Sequence, residues 1–235
     1  MASAPSALVP SSSFAPEMRR QLAVLPLRPG LTFFSGHAQS SRLSHYFLAA
    51  PLLRGEAVLF LDAANCFDPY RIVALAQKWR RSPPELLRRV RVSRAFTCFQ
   101  MAELIQRTAR AARRYGAQCI VLTGFPDIFD DEEISPAEAK SVFTRALGVL
   151  RGWRALTALA FSDLSPQPTP LRAWLMRQLA RDATAVYRLE ETATGLALRL
   201  VCHAERSEAS QVKSRSLDCV PTAVGTPLGM TNVVR

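Results

Sequence analysis

From Leu31 to Leu43 the chain reads L-T-F-F-S-G-H-A-Q-S-S-R-L. An apolar strand-like run, then Gly36, small polar residues and a helical stretch from Ser41 form a strand–loop–helix layout. That layout holds phosphate groups on the backbone N–H groups of a helix N-terminus. The pattern G-x-x-x-x-G-K-[ST] begun at Gly36 would need Gly, Lys and Ser or Thr where the chain has Ser41, Arg42 and Leu43. Arg42 brings a planar fork in place of a lysine point charge. Leu43 has no hydroxyl for Mg²⁺, and Gln39 and Ser41 put Cβ atoms where the turn favours glycine. Gly36, His37, Gln39, Ser40, Ser41 and Arg42 therefore read as a vestigial phosphate loop, with no cofactor required. ATP or ADP would bind there only weakly, without Mg²⁺.

Beyond that loop, residues suited to chemistry are sparse. His37 reads as a solvent-exposed loop residue and His45 as a helix-surface histidine. No Ser/His/Asp order and no His/Cys ligand spacing stands out, and Asp130–Glu133 reads as a solvated acidic loop. Cys66, Cys98, Cys119, Cys202 and Cys219 are odd in number and lack C-x-x-C spacing, which points to a reducing, cytoplasmic setting rather than to zinc or a disulfide framework. Lysine occurs only at 78, 140 and 213, so 27 of the 30 basic residues are arginine, and the net charge is +11. Arginine suits phosphate contacts. Arg80, Arg81, Arg88, Arg89 and Arg91 beside Trp79, and the stripe Arg107, Arg110, Arg113 and Arg114, are the candidate DNA contacts.

The elements that would position these residues alternate regularly. Strands are expected at Leu31–Ser35, Ala57–Asp62, Val90–Ser93, Gln118–Thr123 and Leu156–Ser162, several of them continuous apolar runs as in a buried parallel sheet. Helices are expected at Ser41–Leu53, from Pro69 (with Asp68 as N-cap) to about Arg80, at Phe99–Tyr115, from Pro136 (capped by Ser135) to Arg151, and at Pro170–Arg181. Ala185–Glu190 and Leu196–Cys202 flank T-A-T-G as an edge hairpin. The whole is an α/β fold, a mainly parallel central sheet with helices on both faces and a C-terminal β-hairpin at the edge. Residues 1–18, rich in Ser, Pro and Ala, read as a disordered leader without the features of a secretory signal. Residues 19–203 read as one core domain. The tail 204–235 has no period, resembles peptides encoded by dispersed repeat DNA in some bacterial genomes, and reads as disordered. No apolar run reaches the roughly 18–20 residues of a membrane span.

Three segments, taken in order, resemble the RecA/RadA recombinase core, a P-loop ATPase family. They are the loop at Gly36–Leu43, the set Phe67, Pro69, Arg71 and Ile72 after the strand ending in Asp62, and the set Val92, Arg94, Ala95, Phe96, Gln100 and Met101. The resemblance spans roughly residues 22–203 and implies a RecA-like P-loop NTPase fold. It also locates losses. The family's D-T-E-G motif supplies a glutamate that orients the attacking water; here Asp62 matches the Asp, but Ala64 stands at the Glu position and Asn65 at the Gly position. The Walker B strand, which usually ends in a carboxylate for the metal-bound water, here ends in Thr123, with Asp127, Asp130 and Asp131 displaced downstream. The polar sensor falls at about Ser162–Asp163. The family's DNA-binding loops correspond to short connections, Gly124–Ser135 and Asp163–Pro170, and its oligomerisation segment to an echo at Phe14–Ala15.

With Walker A and Walker B both degenerate, the expected function is that of a catalytically inactive accessory or regulatory protein. It would act in DNA repair, recombination or the SOS damage response, in the manner of the RecA-related accessory proteins of translesion synthesis. The expected partner is a protein, a repair or recombination factor such as a lesion-bypass polymerase or a RecA-family protein, with DNA a further candidate and no membrane. The alternative is an atypical ATP-binding, DNA-dependent ATPase that uses Arg42 and a displaced carboxylate.

Overall fold

The computed structural model describes residues 25, 27–163, 168–192 and 195–203. The leader, the tail and Phe14–Ala15 lie outside them. Seven strands form one sheet in the order β3-β2-β4-β5-β1-β6-β7. They are β1 (Gly30–Ser35), β2 (Ala57–Asp62), β3 (Val90–Arg94), β4 (Ala117–Thr123), β5 (Thr157–Phe161), β6 (Ala185–Thr192) and β7 (Gly195–His203). Every pairing is parallel except β6 with β7, the expected hairpin, which is antiparallel.

Alternate residues along each strand point to opposite faces, which is why the central strands read as unbroken apolar runs. Leu59, Leu61, Ile120 and Leu122 join one core under the helices α5 (Cys98–Tyr115), α6 (Pro136–Arg151) and α7 (Pro170–Asp182). Phe34, Val58, Phe60, Val121 and Phe161 join the other, under α1 (Ser44–Phe47), α2 (Ala49–Leu53), α3 (Pro69–Lys78) and α4 (Pro83–Arg89). Both faces are thus covered, as the alternation of elements predicts.

Caps set the helix starts. The Asp68 carboxylate accepts from Tyr70 N–H, Ser135 Oγ from Glu138 N–H and Thr169 Oγ1 from Arg172 N–H, each with Pro at the first helical position. Gly116, at φ +66°, ends α5 in the left-handed conformation. Two expectations need correction. The helix expected over Ser41–Leu53 is a 3-10 turn (Ser40–Leu43) followed by α1 and α2, divided at Leu48. Pro51 has no N–H to bond back to Phe47, and its ring crowds that carbonyl, so a continuous helix is blocked. Helix α4 was not expected; Pro83 and Pro84 open it, and only Leu86 is fully buried. Among the described residues, no helix is long and apolar enough to cross a membrane.

Candidate functional site

The carboxyl ends of the parallel strands bring the expected site residues into one row. In the sheet register Arg94 lies opposite Asp62, Asp62 opposite Thr123, Thr123 opposite Phe161, Phe161 opposite Phe34 and Phe34 opposite Tyr187. Phe34 stacks on Phe161 at 4.8 Å and on Tyr187 at 5.4 Å, and Phe47 of α1 closes over it at 4.8 Å. The loop after β1 therefore leaves the sheet over an aromatic floor beside a buried Asp–Thr pair.

Gly36 starts that loop at φ +105°, where a Cβ would lie 2.6 Å from Arg188 Cγ and 2.7 Å from the Leu189 carbonyl oxygen. Only glycine fits so close to β6. The loop then bonds to itself: Ser40 Oγ donates to the His37 carbonyl at 2.7 Å, and Gln39 N–H donates to His37 Nδ1 at 3.2 Å. His37 is half-buried rather than solvent-exposed, with Nε2 3.3 Å from Glu191. Ser41 is fully buried. Its N–H, of the kind that would face a phosphate, donates to Asp163 Oδ1 at 2.7 Å. Its hydroxyl oxygen accepts from Gly124 N–H at 3.2 Å, and its carbonyl accepts from the Cys66 thiol at 3.5 Å. A carboxylate of the chain itself thus stands on the loop. Burial pushes the Asp163 carboxyl up, opposed by the Ser41 hydrogen bonds and the charges of Arg172 and Arg42.

Asp62, 1% exposed, is equally committed. Its Oδ1 accepts from Thr123 Oγ1 at 2.8 Å and Cys66 N–H at 3.0 Å, and its Oδ2 from Phe67 N–H at 3.0 Å, with Arg94 Nε at 3.8 Å. Gly124, at φ +66°, lies so close to the segment after β2 that a Cβ would meet Ala64 N at 2.7 Å. Ala64 is therefore packed against the end of β4 and presents no group for positioning a water. Burial, then the neighbouring Asp62, pushes the Cys66 thiol up to about 12.

The displaced carboxylate Asp127 returns to the site. It sits in a 3-10 turn (Asp127–Phe129) whose flanking Phe125 and Phe129 are buried in the core. Ser162 Oγ donates to its Oδ1 at 2.5 Å, Asp163 N–H to its Oδ2 at 2.7 Å, and Arg172 Nη2 lies 3.0 Å from Oδ1. Arg172 also donates to the Asp163 carbonyl. Burial pushes Asp127 up to about 6, with Arg172 acting against the shift. A cavity of about 90 Å³ remains here, lined by Gly36, Ser162, Asp163, Pro168, Arg172 and Met176. Sequence reading missed this cluster; the aromatic pair around Asp127 was the available signal, since burying both rings carries the carboxylate inward.

These residues do not fit Mg²⁺ and a triphosphate. Leu43, where a metal-binding hydroxyl would stand, is fully buried in the core. The Thr123 hydroxyl donates its hydrogen bond to Asp62, Ala64 offers only a methyl group, and the Ser41 N–H is taken. Among the described residues no group of three or more His, Cys, Asp or Glu side chains could hold a metal ion. The network fastens the ends of β2, β4 and β5 and the loop after β1 to one another.

His45 departs from expectation. It is 2% exposed, accepts from Asp68 N–H on Nε2 at 2.9 Å, and lies against Phe60 and Phe67. Burial first, then Arg71, lowers its pKa to about 4, so the ring stays neutral. The candidate DNA-contact arginines lie elsewhere. Arg80, Arg81, Arg88, Arg110, Arg113 and Arg114 are exposed, whereas Arg89 is partly buried, pairs with Glu85 and donates to the Gly55 carbonyl. A larger groove of about 920 Å³ has Leu27, His45, Tyr70 and Trp79 among its walls. No protein-family model matches the sequence.

Proposed function

We propose that the chain is a RecA-like core without ATPase chemistry, acting as an accessory or regulatory protein in DNA repair, recombination or the damage response, of the translesion-synthesis accessory type. The strand order supports the RecA-like part. The strands that the resemblance assigns to the phosphate loop (β1), the sensor (β5) and Walker B (β4) are neighbours in the order β4-β5-β1. One observation carries the non-catalytic part: the Ser41 N–H is bound to Asp163, an internal carboxylate where a phosphate oxygen would be held. Asp62 and Thr123, bonded to each other, support it too. An ATPase that uses a displaced carboxylate is the weaker reading, because both Asp127 oxygens are engaged by Ser162, Asp163 and Arg172.

The partner in this reading is a repair protein such as a lesion-bypass polymerase or a RecA-family protein. The test is genetic. Deleting the gene lowers damage-induced mutagenesis, and a chain carrying Arg42→Ala restores it. Unchanged mutagenesis in the deletion refutes the repair role, and an Arg42→Ala chain that folds but restores nothing refutes the non-catalytic one.

A further inference from the structure

The acidic connections and the unpaired arginines lie at opposite ends of the sheet, with Arg42, Arg94 and Arg172 at the acidic end facing its carboxylates. The carboxyl ends of the strands carry Asp127, Asp130 and Asp131 beyond β4 and Asp163 beyond β5, with Glu132 and Glu133 continuing the acidic run. The opposite end, where the strands begin and the helices finish, is basic. Arg80 and Arg81 follow α3, Arg88 lies in the last turn of α4, Arg91 is on the edge strand β3, and Arg113 and Arg114 end α5. All six are exposed. The register sets the starts of β3 and β4 beside the start of β2, with Val90 opposite Val58 and Ala117 opposite Ala57, so the helix ends that lead into them, α4 before β3 and α5 before β4, lie at the same end of the sheet, on its two faces. Contact across elements is direct: Arg91 of β3 lies over the Tyr115 ring at 4.7 Å and Arg114 at 5.5 Å.

Basic residues at helix C-termini also serve the helix dipole, which accounts for Arg88, Arg113 and Arg114. It does not account for Arg91 on a strand or for Arg80 and Arg81 beyond a helix end. The nearby acids are already used, Glu56 by Arg54, Glu85 by Arg89 and Asp182 by Arg151. Among the described residues none of the six arginines forms an ion pair within 4.0 Å.

We infer that this end of the sheet, opposite the closed loop, binds the phosphodiester backbone of a nucleic acid. Six guanidinium groups without acid partners, chosen over lysine, complement a regular row of phosphates. Arg91 and Arg114 sit close to the exposed Tyr115 ring, so charge and an aromatic face lie together at this end. The inference does not rest on the RecA-like reading.

The test is fluorescence anisotropy of the full chain with a labelled 30-nucleotide strand and its duplex at 50 and 200 mM salt. Affinity falls on the order of 10³-fold between the two, as for about six phosphate contacts. Arg113→Glu with Arg114→Glu weakens binding at least about tenfold and lowers the salt slope by about 2. Arg145→Glu with Arg177→Glu, the same charge change at exposed sites on α6 and α7, stays within about twofold. Circular dichroism checks that both variants fold. No binding at 50 mM salt overturns the inference. Equal loss in the two double variants overturns it as well, and so does a polyglutamate peptide that competes as well as DNA at equal charge, which would assign the surface to an acidic protein.

Discussion

Replacing Asp163 by alanine takes away the acceptor of the Ser41 N–H, a 2.7 Å bond to a buried loop residue. A hydrogen bond to an ionised carboxylate contributes about 1.5–3 kcal/mol, and a buried N–H left without a partner costs about as much again. Lost attraction to Arg42 and Arg172 adds to this cost, whereas relief of a carboxyl that burial already disfavours stands against it. The net loss should be about 2 kcal/mol for Asp163→Ala and about 1 kcal/mol for Asp163→Asn, which keeps a neutral acceptor. In a domain of this size that is about 4–8 °C in Tm for the alanine variant. Urea titration at pH 7, followed by the fluorescence of buried Trp153 and half-buried Trp174, reads both variants against the parent. A loss below about 0.5 kcal/mol for Asp163→Ala, or a larger loss for Asn than for Ala, would refute the idea that this carboxylate fastens the loop.

Asp62→Ala, which strips a carboxylate from Thr123, Cys66 and Phe67 at once, should cost about 3–5 kcal/mol; a double-mutant cycle with Thr123→Ala should show coupling above about 0.5 kcal/mol, and additivity would contradict the pairing. Two buried groups should give opposite pH dependences. His45, held down to about 4 from 6.5, loses its contribution as pH falls through that window, whereas Asp127, held up to about 6 from 3.8, loses its contribution as pH rises through its own. Relative to the parent, stability should climb with pH between 4.5 and 6.5 by about 2 kcal/mol in Asp127→Asn and decline by about 3 kcal/mol in His45→Gln, and slope changes of the same sign would contradict it. Rebuilding the loop motif with Ser41→Gly, Arg42→Lys and Leu43→Thr should cost at least about 2 kcal/mol, because Leu43 is fully buried, and should yield no Mg²⁺-dependent phosphate release in a malachite-green assay.

The sheet was legible because burial on both faces leaves a mark that local reading can find. A-V-L-F-L-D and Q-C-I-V-L-T are β2 and most of β4 within a residue. Asp68-Pro69 and Ser135-Pro136 mark helix starts by the same local logic. That Leu43, Ala64 and Thr123 carry no carboxylate and, at 43 and 64, no hydroxyl was legible too, since residue type alone states it. What fills their place was not. The Asp127–Ser162–Asp163 cluster joins segments 35 and 36 residues apart, and Ser41 meets Asp163 across 122 residues. No periodicity encodes such contacts. His45 sits on a helix too short to show a face, and its burial is decided by Phe60 and Phe67 from other elements.

Titration calorimetry of the full chain with ATP and with ADP, each with and without Mg²⁺, addresses the closed loop most directly. Heats should correspond to a Kd no tighter than about 1 mM, or about −4 kcal/mol, and should not change with Mg²⁺. Micromolar binding that depends on Mg²⁺ would mean that a nucleotide displaces Asp163 from the Ser41 N–H, and would contradict the closed loop.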